Sequence, residues 1–433
     1  MRLYSTKGEA KEVSFQEAVF KGLPEDNGLY MPTEIPQLPS TFIEGLPDLT
    51  LPEIGLEVSR TLIGDEIPEP ALRDLIEDAM NFPVPVINLY DRLYALELFQ
   101  GPTLACKDFG ARFMSRVMAH FLQQEDREIN ILVATSGDTG SAVAQGFFNV
   151  PGIKVTILYP KGKVSFVQEQ QLTTNGGNIT ALEIDGTFDD CQRMVKSAFL
   201  DADLKSTMNL SSANSINIAR LIPQSFYYFY AYGQVRKSTN LPVVFCTPSG
   251  NFGNLCGGLI AFRMGLPVHR FVAATNANAI VPEYLRSGQF EPKPSVQTLA
   301  NAMDVGNPSN FPRLLDLFNG EHSEIVKWVE GAHHSDEQIK TTIKAVFDQY
   351  GYTLCPHSAI GYQALKEYRE AHPEKTAGIF LATAHPAKFA DTVEHATHKP
   401  LVMPERLSAL VDREKKAISM KADFEELKGW LLE

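Results

Sequence analysis

From about Asn130 onward the chain repeats one pattern: a short apolar run, a polar or glycine-bearing turn, then apolar residues at helical spacing. ILVAT leads into SGDTGSAVAQGF, VTILYP into KVSFVQEQQLTTN, ITALEID into DDCQRMVKSAFL, and VVFCTPSG into NFGNLCGGLIAFRMG. FVAATN and GIFLAT belong to similar units. A continuous apolar run suits a strand buried on both faces, and the longer period suits a helix packing one face against it. Strands alternating with helices predict βαβ units, and so an α/β fold of parallel sheets with helices on both faces. The runs fall into two blocks, roughly 95–235 and 240–390, which predicts two lobes with a ligand cleft between them.

The first ninety or so residues read differently. They are rich in proline (Pro24, Pro32, Pro36, Pro39, Pro47, Pro52), with short amphipathic pieces such as LEVSRTLIG and EPALRDLIEDAM, and predict a mostly helical N-terminal cover. The segment SINIARLIPQSFYYFYAYGQV reads as a bridging helix in which Pro223 places a kink or a boundary. The expected division is a cover over 1–92, a smaller α/β lobe over 93–235, and a larger α/β lobe with a helical C-terminal tail over 236–433. No period of repeat length recurs, so a solenoid is excluded.

Composition narrows the function. With 433 residues, 44% hydrophobic and 21% charged, the chain has the balance of a globular protein of about two to three domains. A net charge of -13 gives no general attraction to nucleic acid or anionic lipid, so an anionic ligand needs a local cluster of donors. That points to a small-molecule site. MRLYSTKGEA has no apolar run behind its charges, and no stretch is long and apolar enough to span a bilayer. The five cysteines are scattered and odd in number, with no C-x-x-C spacing, which argues against zinc or a disulfide framework and for a reducing cytoplasm.

Several segments could carry chemistry. Lys107 follows a Gly-Pro turn and precedes the helical run ARFMSRVMAHFL. A helix N-terminus and burial both disfavour the ammonium and favour the neutral amine that Schiff-base chemistry requires. Taken alone, a solvated lysine in a first helical turn explains the segment better. TSGDTG (135–140) gathers hydroxyls, glycines and amide N–H groups where a strand meets a helix; it suits a carboxylate or serves equally as an ordinary N-cap. PSGNFGN (248–254) opens another helix with glycines that let backbone approach a phosphate. It lacks the dinucleotide spacing, and a monophosphate fits it better, with a structural turn as the alternative. SSANSINIAR brings Asn214, Ser215 and Arg220 close together, as a phosphate site or as a cap with a surface arginine. LATAHPAKF places Thr383, His385 and Lys388 after the last apolar run, with His385 better explained as a turn residue.

Together and in this order, GPTLACKDFG, TSGDTG, SANSIN, PSGNFGN and LATAHPAKF closely resemble the threonine synthase family, in its bacterial and fungal form with a long N-terminal extension. The likeness runs from LYST near the start to HPAKF. It implies the tryptophan-synthase-β-like (fold type II) fold of pyridoxal 5′-phosphate enzymes. By the same resemblance, Lys107 is the Schiff-base lysine and proton shuttle. Gly250, Asn251, Phe252, Gly253 and Asn254 take the cofactor phosphate on backbone N–H groups, and the Thr383 hydroxyl partners the pyridine nitrogen. Asp138 stands where many relatives have an Asn touching the cofactor's 3′-oxygen. Ser136, Gly137 and Thr139 are implied for the substrate carboxylate; Asn214, Ser215 and Arg220, with Lys161 or Lys163 from YPKGK, for the substrate phosphate. Cys106 departs from the aromatic residue common at its place and is read as a packing variant.

The reaction implied is conversion of O-phospho-L-homoserine and water to L-threonine and phosphate, the last step of threonine biosynthesis, by a cytoplasmic monomer or homodimer without a metal. No spacing separates γ- from β-chemistry. A related phospholyase, a serine/threonine dehydratase and, from another class, a phosphate-ligand-binding module are the alternatives.

Overall fold

The computed structural model of the chain describes residues 1–123, 125 and 127–433. At the N-terminus β1 (Arg2–Ser5) lies between β2 (Val13–Ser14) and β3 (Tyr30–Pro32) in a small antiparallel sheet. Helices then dominate, and their starts are written in the sequence. Ser14 with Glu17 forms a capping box for Phe15–Lys21, and Thr50 with Glu53 does the same for Leu51–Ile63. The cover is pinned to itself by the Met1 ammonium, 2.7 Å from Glu66.

The remaining strands follow in chain order: β4 (Val86–Tyr90), β5 (Leu93–Glu97), β6 (Ile129–Ala134), β7 (Ile153–Pro160), β8 (Ile179–Asp185) and β9 (Asn209–Ser212). After these come β10 (Val243–Pro248), β11 (Val268–Thr275), β12 (Val329–His333), β13 (Ala377–Ala382) and β14 (Ile418–Lys421). They build a six-stranded sheet in the order β12-β11-β10-β13-β5-β4 and a five-stranded sheet in the order β14-β8-β7-β6-β9. All pairs are parallel except β4 with β5. β10 and β13 are buried at every position, which is why they read as unbroken apolar runs. The chain is α/β, as its periodicity predicts.

The bridging segment is broken at Pro223. A short helix, Ile218–Leu221, passes through a 3₁₀ turn, Ile222–Gln224, into the helix Phe226–Arg236. Proline has no N–H to continue the ladder and its ring collides with the preceding turn. Phe226, Tyr227, Tyr228 and Phe229 are all buried, so this helix has no polar face in its first turn.

Sheet membership cuts across the expected boundaries in two places. β5 joins the large sheet through β13, although residues 93–97 precede the lysine segment of the smaller lobe. The C-terminal tail carries β14, which pairs with β8 at the edge of the small sheet, so it is not purely helical. Nothing local in LYALE or ISMK specifies a partner; their neighbours are chosen by packing of distant chain. Among the described residues no helix is long and apolar enough to cross a membrane.

Candidate active site

In a parallel sheet the carboxyl ends of the strands open into one crevice, and ligand-binding loops gather there. Here Thr135–Asp138 follow β6, Asn214 and Ser215 follow β9, Ser249–Asn254 follow β10, and Thr383 follows β13; residues from all four turns line one narrow cleft between the two sheets.

Lys107 lines the same cleft and is the first residue of the helix Lys107–Leu122. The loop that delivers it is stitched to the loop after β13. Ala105 bridges to Ala384, the Cys106 N–H donates to the Thr383 carbonyl at 2.7 Å, and the His385 N–H donates to the Leu104 carbonyl at 3.0 Å. The turn before it depends on Gly101, where a Cβ would lie 2.5 Å from the buried Asp108 carboxylate. That carboxylate accepts from the Thr103 N–H (2.9 Å) and hydroxyl (2.7 Å). Cys106 is buried and burial pushes its thiol up, which suits a packing residue rather than a reactive thiolate.

The PSGNFGN turn is a cradle braced by its own side chains. The Ser249 hydroxyl donates to Asn254 Oδ1 and accepts from the Phe252 N–H at 3.0 Å, while Asn254 Nδ2 donates to the Pro248 carbonyl at 3.0 Å. Phe252 takes a left-handed conformation (φ 59°) and caps the helix Gly253–Arg263. Its first-turn amides, on Gly253 and Asn254, are those a helix leaves without an internal partner. A Cβ on Gly250 would lie 2.8 Å from Met303 Cα, so only glycine permits this close approach.

The TSGDTG turn is built around Thr135, whose hydroxyl accepts from the N–H groups of Gly137 (2.9 Å) and Gly140 (2.8 Å). Asp138 is buried, with Lys388 Nζ 2.7 Å from its Oδ1 and Gln168 Nε2 donating at 3.0 Å. Burial raises its pKa, but the Lys388 charge and these hydrogen bonds outweigh that and hold the carboxyl below the usual range. Asp138 is therefore a carboxylate at neutral pH. His357 also lines the cleft; its Nε2 accepts from the Ala302 N–H at 3.2 Å, and burial lowers its pKa to about 4.

On the other wall, Asn214 Nδ2 donates to the Ala134 carbonyl at 2.8 Å, and the Ser215 hydroxyl accepts from Asn310 Nδ2 at 2.9 Å. Arg220 is 2% exposed; its Nη1 donates to the Ala213 carbonyl, while its buried Nε has no hydrogen-bond partner among the described residues. Burial pulls its pKa down to about 10, leaving it a cation at neutral pH. A buried cation with an unspent donor beside a cavity is suited to an anion. Behind it, Arg313 is fully buried and donates to the carbonyls of Ser215 (3.0 Å), Ile216 (2.7 Å) and Tyr30 (3.1 Å).

Of the residues singled out from sequence, Lys107, Ser136, Asp138, Thr139, Asn214, Ser215, Arg220, the Gly250–Asn254 loop and Thr383 all line this cleft. Two do not. Gly137 (φ 131°) turns toward Gln168, where a Cβ would lie 2.4 Å from the amide carbon. Lys161 is exposed on the turn after β7, as is Lys163. Sequence reasoning passed over His357, Gln168 and Arg313, and left Lys388 without a role. HPAKF contains Lys388, but nothing in that string pairs it with Asp138.

The cleft thus holds a lysine amine, a glycine-lined helix N-terminus, a hydroxyl at Thr383 and the buried Arg220 cation. These residues fit pyridoxal phosphate. Comparisons with known proteins agree. Residues 85–382 match the family described as pyridoxal-phosphate dependent enzyme, 2–80 the threonine synthase N terminus, and 358–430 the threonine synthase C-terminal region. The chain is 46% identical over 432 residues to a threonine synthase of Haemophilus influenzae, covering 100% of both chains. It superposes on the crystal structure of threonine synthase from Escherichia coli with a TM-score of 0.94 and 43% identity, covering 100% of this chain and 99% of the other. The structure of PLP-bound threonine synthase from Brucella melitensis gives a TM-score of 0.91 at 34% identity, covering 100% and 98%. The chain belongs to the threonine synthase family of pyridoxal-phosphate-dependent enzymes.

Proposed function

We propose that the cleft converts O-phospho-L-homoserine and water to L-threonine and phosphate, with Lys107 as both tether and proton carrier. The observation that carries this reading is the convergence of Lys107, the Gly250–Asn254 cradle and Arg220 on one cleft. Pyridoxal phosphate, which Lys107 would hold, would supply the electron sink for negative charge at the substrate's α-carbon.

The chain's own groups do the rest. The amides of Gly253 and Asn254 would bind the cofactor phosphate, and the Thr383 hydroxyl would partner the ring nitrogen. Ser136 and Thr139 hold the substrate carboxylate. Asn214, Ser215 and Arg220 bind the substrate phosphate and keep it after release. Lys107 Nζ, once freed, takes the proton from Cα and returns protons along the chain of carbons. In balance, Cγ loses phosphate and gains a proton, while Cβ loses a proton and gains the hydroxyl of water.

The test is direct. Purified protein should be yellow, borohydride should fix the cofactor to Lys107, and phosphohomoserine should yield threonine rather than 2-oxobutyrate. An active, colourless Lys107→Ala variant would end this reading.

A further inference from the structure

Lys388 takes no part in the reaction as described, yet its side chain is fully buried beside the cleft. Its Nζ has two partners: Asp138 Oδ1 at 2.7 Å and the Thr103 carbonyl at 3.1 Å. Gln168 donates to the same Asp138 oxygen. Both anchors therefore fall on Oδ1, and Oδ2 makes no hydrogen bond among the described residues. The two anchors come from segments that touch each other, the Ser165 hydroxyl at the start of the Gln168 helix donating to the Lys388 carbonyl at 2.9 Å. Gln168 lies on the helix Phe166–Thr173 and Lys388 on the 3₁₀ turn Pro386–Phe389, three residues beyond His385.

We propose that Lys388 is a positioning residue of the cofactor site, anchoring Oδ1 of Asp138 so that Oδ2 faces the cleft as acceptor for a hydrogen-bond donor on the cofactor's ring. This rests on the reading of the cleft as a pyridoxal-phosphate site. A carboxylate this deeply buried and without a cation takes up a proton, because desolvation penalises the charged form. With Lys388 in place it stays charged. The other titratable groups around Asp138 do not replace that cation. His357 is neutral, Asp108 is a second acid, and Lys107 and Arg220 line the same cleft but do not bond to the carboxylate.

The test reads the bound cofactor rather than turnover. The long-wavelength absorption band of the holoenzyme belongs to the protonated, cationic chromophore, which a nearby carboxylate stabilises. Asp138→Asn removes that charge, so the pH midpoint at which the band is lost should fall, by about one unit or more. Lys388→Met should lower it in the same direction, because Asp138 then becomes neutral. The double variant should fall no further than either single one, since the two act as a unit. Gln168→Met, which keeps the cation and removes only the neutral anchor, should give a smaller fall and covers the case in which Lys388→Met does not fold. A midpoint unchanged or raised in Lys388→Met, or additive falls in the double variant, would overturn the role of Lys388 alone. Absence of the band from the unsubstituted protein would overturn the cofactor reading and this role with it.

Discussion

At the scale of single residues, the Arg220 wall of the cleft rests on an exchange of space between Gly110 and Arg220. Gly110 sits inside the helix Lys107–Leu122, where alanine would ordinarily be favoured by about 0.5–1 kcal/mol. A Cβ there would lie 2.7 Å from Arg220 Nε and 3.0 Å from the Arg220 carbonyl oxygen. Gly110→Ala should therefore displace the guanidinium and raise KM for phosphohomoserine, with the overpacking costing about 1–3 kcal/mol of stability. Steady-state kinetics beside cofactor titration checks this, because cofactor affinity should hold. Arg220→Met tests the wall itself. It should raise KM and, if retained phosphate guides water to Cβ, also increase the share of 2-oxobutyrate. An unchanged product ratio would remove the phosphate from that role.

Arg313 shows how elements, rather than residues, hold the site. It lies in the short helix Phe311–Asp316 and joins three distant carbonyls: Tyr30 in the N-terminal sheet, and Ser215 and Ile216 in the segment after β9. Arg313→Met should strand those acceptors and cost about 3 kcal/mol, read as a lower urea midpoint together with a raised KM. The edge of the small sheet gives a second prediction. Met420 on β14 and Leu427 behind it cover a cluster containing Leu182, Ile184 and Met194. Deleting residues 414–433 should bare the β8 edge and this apolar surface, and the truncated chain should aggregate on size exclusion. These elements also mark what the sequence makes legible. Lys107 and the glycine cradle stand in contiguous strings whose residue types carry their chemistry, and the buried strands announce themselves as unbroken apolar runs. Arg313, His357 and the Lys388–Asp138 pair are common residue types whose meaning lies only in what they meet across the fold. The placement of β5 and β14 is hidden for the same reason.

For the whole molecule, pH couples the site to folding. His357 has a pKa of about 4 in the folded chain against 6.5 for an ordinary histidine. Between those values the unfolded chain binds a proton that the folded chain refuses, so stability falls as pH drops from 6.5 toward 4. Asp304, raised from 3.8 to about 7 by burial, acts in the opposite sense: the folded chain keeps a proton that the unfolded chain has lost, and stability falls as pH rises through that window. Urea unfolding across this range should show a shallower acid decline in His357→Gln than in the unsubstituted protein. The strand order has a consequence for how the chain is made. Leu93 on β5 pairs with Gly378 on β13, and Leu182 on β8 with Ile418 on β14. As synthesis proceeds from the N-terminus, β5 leaves the ribosome early and waits for a partner made near the end, and the last edge of the small sheet arrives later still. Thr383 is delivered with β13. The nascent chain therefore holds Lys107 long before it holds a cleft, and capture of the cofactor has to wait for β13 and the Thr383 turn behind it.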